Sequence, residues 1–187
     1  NGDGTFKDAT EQFGFTEVIF HPEPSNGVIT TGDINNDGWI DLFIGSRLFK
    51  NIEGKLFIDI TDQVGINFTG NPSFTDIDND GDLDLFIGSS RLSQGAGDRT
   101  VLYRNNLNDD NYLKVNVSGD VSNRNASGTK LFLKAFDSEN NHIYTSLKVA
   151  GTGGSPMIQN DLSSIHFGLN PEYRYELEAI FPSGKIQ

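Results

Sequence analysis

Two stretches concentrate oxygen donors at regular spacing: DINNDGWID at 33–41 and DIDNDGDLD at 76–84. Both follow the pattern D-x-[DN]-x-D-G-x-x-D. Calcium is a hard cation that takes about 6–8 oxygens at about 2.3–2.6 Å, and alternate residues of a tight turn can aim their oxygens at one centre. In the first loop the spacing assigns ligands to Asp33, Asn35, Asp37, the main-chain carbonyl of Trp39, and Asp41. In the second it assigns them to Asp76, Asp78, Asp80, the main-chain carbonyl of Asp82, and Asp84. Gly38 and Gly81 stand where the chain must reverse, and a positive φ costs glycine almost nothing. The expectation is two Ca2+ sites, each ion bracing the hairpin it closes. Magnesium, which prefers a small octahedral shell with retained waters, is a poor substitute.

Two other readings of these loops are weaker. An EF-hand needs a bidentate Glu at loop position 12 and a helix on each side, whereas Ile44 and Ile87 occupy that position here and the flanks are strand-like. Solvated acidic turns would explain one such loop, since Asp, Asn and Gly are ordinary turn formers. Two copies with matching positions argue against it, because uncompensated carboxylates packed in one turn repel each other. The first loop offers three carboxylates and Asn35, the second four. Charge counting therefore predicts tighter binding in the second loop.

Other chemistry finds little support. His21, His142 and His166 are far apart and none has a partner at metal-ligand spacing. His166, in an apparent strand, reads as a hydrogen-bonded structural residue. Gly151, Gly153 and Gly154 form a glycine-rich turn without the Lys and Ser/Thr of a phosphate-binding loop, and no G-x-S-x-G elbow is present. Arg99, Arg104 and Tyr103 read as strand-edge packing. The close carboxylate sets are all absorbed by cation geometry, so no pair is left for acid–base work and no enzyme is expected. The chain has no cysteine, which excludes disulfides and thiolate-bound metals. No apolar run reaches the ~20 residues of a membrane span.

The elements that must position these loops are strands, and they repeat. DATEQFG at 8–14 returns as DITDQVG at 59–65; DINNDGWIDLFIG at 33–45 returns as DIDNDGDLDLFIG at 76–88; RLFKN at 47–51 is echoed by VLYRN at 101–105. Ile40, Leu42 and Ile44 alternate with Trp39, Asp41 and Phe43, which is strand period. Repeats of about 40–50 residues with several short strands each indicate propeller blades, and a propeller closes with about 4–8 of them. Two blades make an arc, so the chain is expected to be a fragment, any export signal having lain upstream. Residues 105–111, NNLNDDN, read as a linker. Beyond it, YLKVNV at 112–117, KLFLKAF at 130–136, HIYTSLKV at 142–149 and YELEAIF at 175–181 read as strands of an antiparallel sandwich. The charge divides the same way. Residues 1–110 hold 19 acids and 7 bases and residues 111–187 hold 7 of each, so the net −12 belongs to the first part. Such a surface repels nucleic acid and anionic membrane.

GDINNDGWIDLFIGS at 32–46 and TDIDNDGDLDLFIGS at 75–89, each linked to an N-G-D-G-T-F or N-x-x-G-x-x-F turn, resemble FG-GAP/VCBS repeats, the calcium-binding blades of integrin-α-like propellers. YLKVNVSG at 112–119, SNRNASG at 122–128, GGSPMIQ at 153–159, HFGL at 166–169 and FPSG at 181–184 resemble the ASPIC/UnbV family, from whose usual pattern Phe181 and Ser127 depart. The resemblance implies an all-β chain with an incomplete propeller over 1–106 and a β-sandwich-like ASPIC/UnbV domain over 107–187, cut short at its C-terminus. It also implies an extracellular, periplasmic or cell-surface location and an adhesion or interaction role, with a protein or glycan partner at the cell surface or matrix. The alternatives are a non-catalytic accessory part of a larger secreted enzyme, such as one acting on polysaccharide, and a passive spacer.

Overall fold

The computed structural model describes residues 4–15, 29–44, 46–67, 70–88, 100–107, 109–120, 124–151 and 164–187. His21, Arg99, Gly153, Gly154 and the GGSPMIQ stretch lie outside them, as do Asn1–Asp3, Gly45 and Ser122–Asn123 of the motifs above. The described residues are all-β. Twelve strands form several antiparallel sheets, none closed, and no helix occurs among them. Contacts divide the chain into two compact units. One comprises Asn1–Gly32, Trp39–Phe74 and Leu85–Arg104; the other comprises Asp33–Gly38, Thr75–Asp84 and Asn105–Gln187.

The first unit carries a four-stranded meander, β1 (Ile29–Gly32), β2 (Asp41–Ile44), β3 (Arg47–Ile52) and β4 (Leu56–Asp59), in chain order. Period two turns Asp41 and Phe43 of β2 to the buried side and leaves Leu42 and Ile44 half-buried. A sheet of order β5–β6–β7 follows, formed by β5 (Asn71–Thr75), β6 (Asp84–Gly88) and β7 (Val101–Tyr103). Thr75 and Asp84, the loop-side ends of β5 and β6, cluster with the second unit. The two copies of the DLFI segment do not bury alike: Phe43 is 1% exposed and Phe86 39%. The echo at 8–14 and 59–65 is reproduced bond for bond. Asp8 Oδ1 accepts the N–H and hydroxyl of Thr10, and Asp59 Oδ1 those of Thr61. The N–H of Phe13 donates to Ala9 O just as that of Val64 donates to Ile60 O. Gly14 and Gly65 close the turns at φ +85° and +71°. The Phe15 ring then packs on Phe49 and Phe57, centroids 5.2 and 5.1 Å away.

The second unit contains a three-stranded sheet of order β10–β9–β12 and a two-stranded sheet, β11–β8. Its strands are β8 (Tyr112–Val115), β9 (Lys130–Phe136), β10 (His142–Val149), β11 (Ile165–Gly168) and β12 (Arg174–Ile180). Alternation in KLFLKAF sends Leu131, Leu133 and Ala135 inward. Leu131 and Leu133 meet Ile165 and Phe167 of β11 in one apolar core, against which Leu113 and Val115 of β8 pack. A register shift between His142 and Tyr144 keeps Tyr144 opposite buried Ala135. Such a bulge re-aims the residues that follow it. The segment read as a linker does more than connect. Asn105 Nδ2 donates to Ile34 O at 2.7 Å, and Asp109 Oδ1 accepts from Asn36 Nδ2 at 3.0 Å.

Candidate metal centre

Each loop is organised first by its own leading aspartate. Asp33 accepts the N–H groups of Asp37 and Gly38 at 3.1 and 2.7 Å, and Asp76 Oδ2 accepts that of Gly81 at 3.0 Å. Asn36 and Asn79 take φ of +52° and +63°, Gly38 and Gly81 of +90° and +96°. Asparagine and glycine tolerate this left-handed region best. The glycines have a second reason to be there. A Cβ on Gly38 would overlap the Tyr144 hydroxyl, and one on Gly81 the Tyr112 ring.

The closing aspartates act as locks on the adjoining strands. In the first unit, Asp41 Oδ1 accepts the N–H of Asn51 at 2.7 Å while Asn51 Nδ2 donates to Ile40 O. In the second, Asp84 Oδ1 accepts the N–H of Asn105 at 2.8 Å, Asn105 Nδ2 donates to Leu83 O, and Asp84 Oδ2 takes the N–H of Ile77. The RLFKN and VLYRN echo is thus the sequence trace of one asparagine–aspartate device used twice. The Trp39 ring packs against Gly54 of the following turn.

Asp33, Asp41, Asp82 and Asp84 are fully buried, which a freely solvated acidic turn does not require. Burial, then the charge of Asp37, pushes the Asp33 carboxyl up to about 7. Within 75–84, single carboxylate oxygens of Asp76, Asp78 and Asp80 lie within 4.8 Å of one another, a grouping that suits a metal ion. Asp76 Oδ1 is buried and has no hydrogen-bond donor among the described residues. In 33–38, Asn35 Nδ2 donates to Asp37 Oδ2 at 2.8 Å, and Asn35 Oδ1 is buried with no donor among the described residues. An oxygen buried without a donor carries a desolvation cost that a cation removes. The donors are all oxygens, so the residues present fit a hard divalent ion.

Around loop 76–84, other residues of the second unit close in. His166, the residue read as structural, donates from Nε2 to Gly81 O at 2.9 Å; the carbonyl can only accept, which fixes the tautomer. Burial, followed by the charge of Lys148, lowers the His166 imidazole to about 4. Tyr112 stacks on His166 at 6.0 Å. Lys114 pairs with Asp76 Oδ2. Beside loop 33–38, Gly168 lets β11 approach so closely that any Cβ there would overlap Asp33 and Asn36. Asn36 Nδ2 donates to Asp82 Oδ1 at 3.0 Å and so ties the two loops together.

Of the ten residues assigned from spacing, Asp76, Asp78 and Asp80 come together as one carboxylate group. Asp33, Asn35 and Asp37 share the tip of the first loop, and Trp39 and Asp41 fall in the other unit. Asn36, Asn51, Asn105, Tyr112, Lys114 and Tyr144 shape the loops without having been singled out for it. Only the two asparagines of the echoed pentads had left a signal. No family model, curated protein or solved structure matches the chain.

Proposed function

We propose that this chain is a calcium-stabilised, extracytoplasmic interaction or adhesion module made of two FG-GAP/VCBS-type propeller repeats followed by an ASPIC/UnbV-type β domain. Two Ca2+ ions, one per acidic loop, brace the turns from which the strands depart. The partner would be a protein or glycan at the cell surface or matrix. The observation that carries this reading is the convergence of Asp76, Asp78 and Asp80, together with a buried Asp76 oxygen that has no donor among the described residues. In such a module the ion is structural and holds a surface in shape rather than taking part in a reaction.

The test is a calcium titration followed by calorimetry and by Trp39 fluorescence. Trp39 is the single tryptophan of the chain and lies in the first loop, so fluorescence reports one site while heat reports both. The expected result is saturation near two ions per chain. Absence of both heat and fluorescence change would sink the proposal.

A further inference from the structure

We infer that Lys114 is a tethered competitor for the cation of loop 76–84, its ammonium holding the Asp76 carboxylate in the metal-free loop and giving it up when calcium binds. The inference rests on the calcium reading above and adds a residue that sets the affinity of that site.

Lys114 Nζ pairs with Asp76 Oδ2, the two side chains being 22% and 8% exposed. Asp76 also belongs to the three-carboxylate group, and its other oxygen is buried with no donor among the described residues. The ammonium therefore occupies one oxygen of a carboxylate whose remaining oxygen is poised for a metal. A monovalent and a divalent cation about 4 Å apart repel strongly at the effective dielectric of a protein. Full engagement of Asp76 by both is thus disfavoured.

Lys114 is held close without being locked in place. It lies in β8 opposite His166 of β11, and His166 is bonded to Gly81 O in the same loop. This keeps the ammonium at high effective concentration beside the carboxylates. Its four-carbon stem is flexible, and the Tyr112 ring, 5.4 Å from Nζ, offers an electron-rich face to a displaced ammonium. A metal that binds only where the lysine lets go is opposed by the free energy of that contact, and the coupling is reciprocal. Lys114 thus takes back part of the affinity that the fourth carboxylate gives this loop over its companion.

Calorimetric titration of the whole chain with calcium alone tests this, comparing wild type with Lys114→Met and Lys114→Arg. Lys114→Met should tighten one of two sites about tenfold, leave the Trp39 fluorescence midpoint in place, and differ from Lys114→Arg, which keeps the charge. Two bound ions with unchanged constants in Lys114→Met overturn the inference and leave the calcium reading intact. No calcium heat in any protein overturns the calcium reading itself. A second measurement needs no substitution: amine acetylation of wild type followed by mass spectrometry. Calcium should speed acetylation of Lys114 several-fold relative to Lys134, which pairs with Glu178 at 2.9 Å. An unchanged ratio overturns the inference even if the methionine variant does not fold.

Discussion

At the scale of single residues, Gly38 and Gly81 show two constraints meeting at one position. Each has a positive φ, and each lies under a tyrosine of the second unit. Gly65 has the positive φ alone, at +71°, with open space where a Cβ would stand. Gly65→Ala should therefore cost about 1 kcal/mol, the ordinary strain of a left-handed residue. Gly81→Ala should cost about 3 kcal/mol, because Tyr112 must also move. Urea unfolding in chelator measures both. Placing Gly81→Ala in a Tyr112→Ala background should return its cost to near that of Gly65→Ala, as a double-mutant cycle would reveal. Equal costs for the two glycines in wild type would show that the ring yields freely.

At the scale of elements, the loop aspartates divide into those that lock strands and those that stand ready for an ion. Asp84 satisfies the N–H groups of Ile77 and Asn105, so Asp84→Ala leaves two donors unpaired and should cost about 3 kcal/mol even in chelator. Exposed Asp78 belongs to the carboxylate group. Asp78→Asn should change stability by about 0.5 kcal/mol or less in chelator, yet forfeit most of the calcium-dependent gain of that loop. Denaturant midpoints with and without calcium separate the two roles. Comparable losses for both variants in chelator would show that the division is wrong. The period-two reading located β9 and β10 at their full lengths and came within a residue or two for β8 and β12. The same alternation separates Ile40, Leu42 and Ile44 from Trp39, Asp41 and Phe43 without saying which side of β2 lies deeper. Asp41 and Phe43 are the buried pair, and the Asp41 carboxylate accepts the Asn51 N–H there.

At the scale of the whole molecule, calcium should act as a folding ligand. At free calcium a hundredfold above Kd, each site adds about 2.7 kcal/mol, and for a chain of this size each kcal/mol raises the melting temperature by about 2–4 °C. Two sites should therefore raise melting by about 10–20 °C, and magnesium at the same concentration by less than half as much. Differential scanning calorimetry in chelator, calcium and magnesium checks this. Equal shifts for the two ions would argue for generic screening of the −12 net charge rather than for a coordination site.

What the sequence determined by itself is local. The loop pattern, the glycines at the reversal, the Asp–Thr turns at 8–10 and 59–61 and the strand alternation all arise from interactions spanning a few residues. Backbone sterics and side-chain hydrogen bonding decide such features wherever the segment sits. What only the tertiary structure decided is what covers the loops. His166 bonds to Gly81 across 85 residues, and Asn36 bonds to Asp109 across 73. Asn36 and Asn79 share a loop position and a positive φ, yet Asn36 is buried between two carboxylates and Asn79 is exposed. Burial of that kind depends on how distant strands close over a loop. The free energy of that closure is set by long-range packing and by the charges it brings together, neither of which spacing along the chain records.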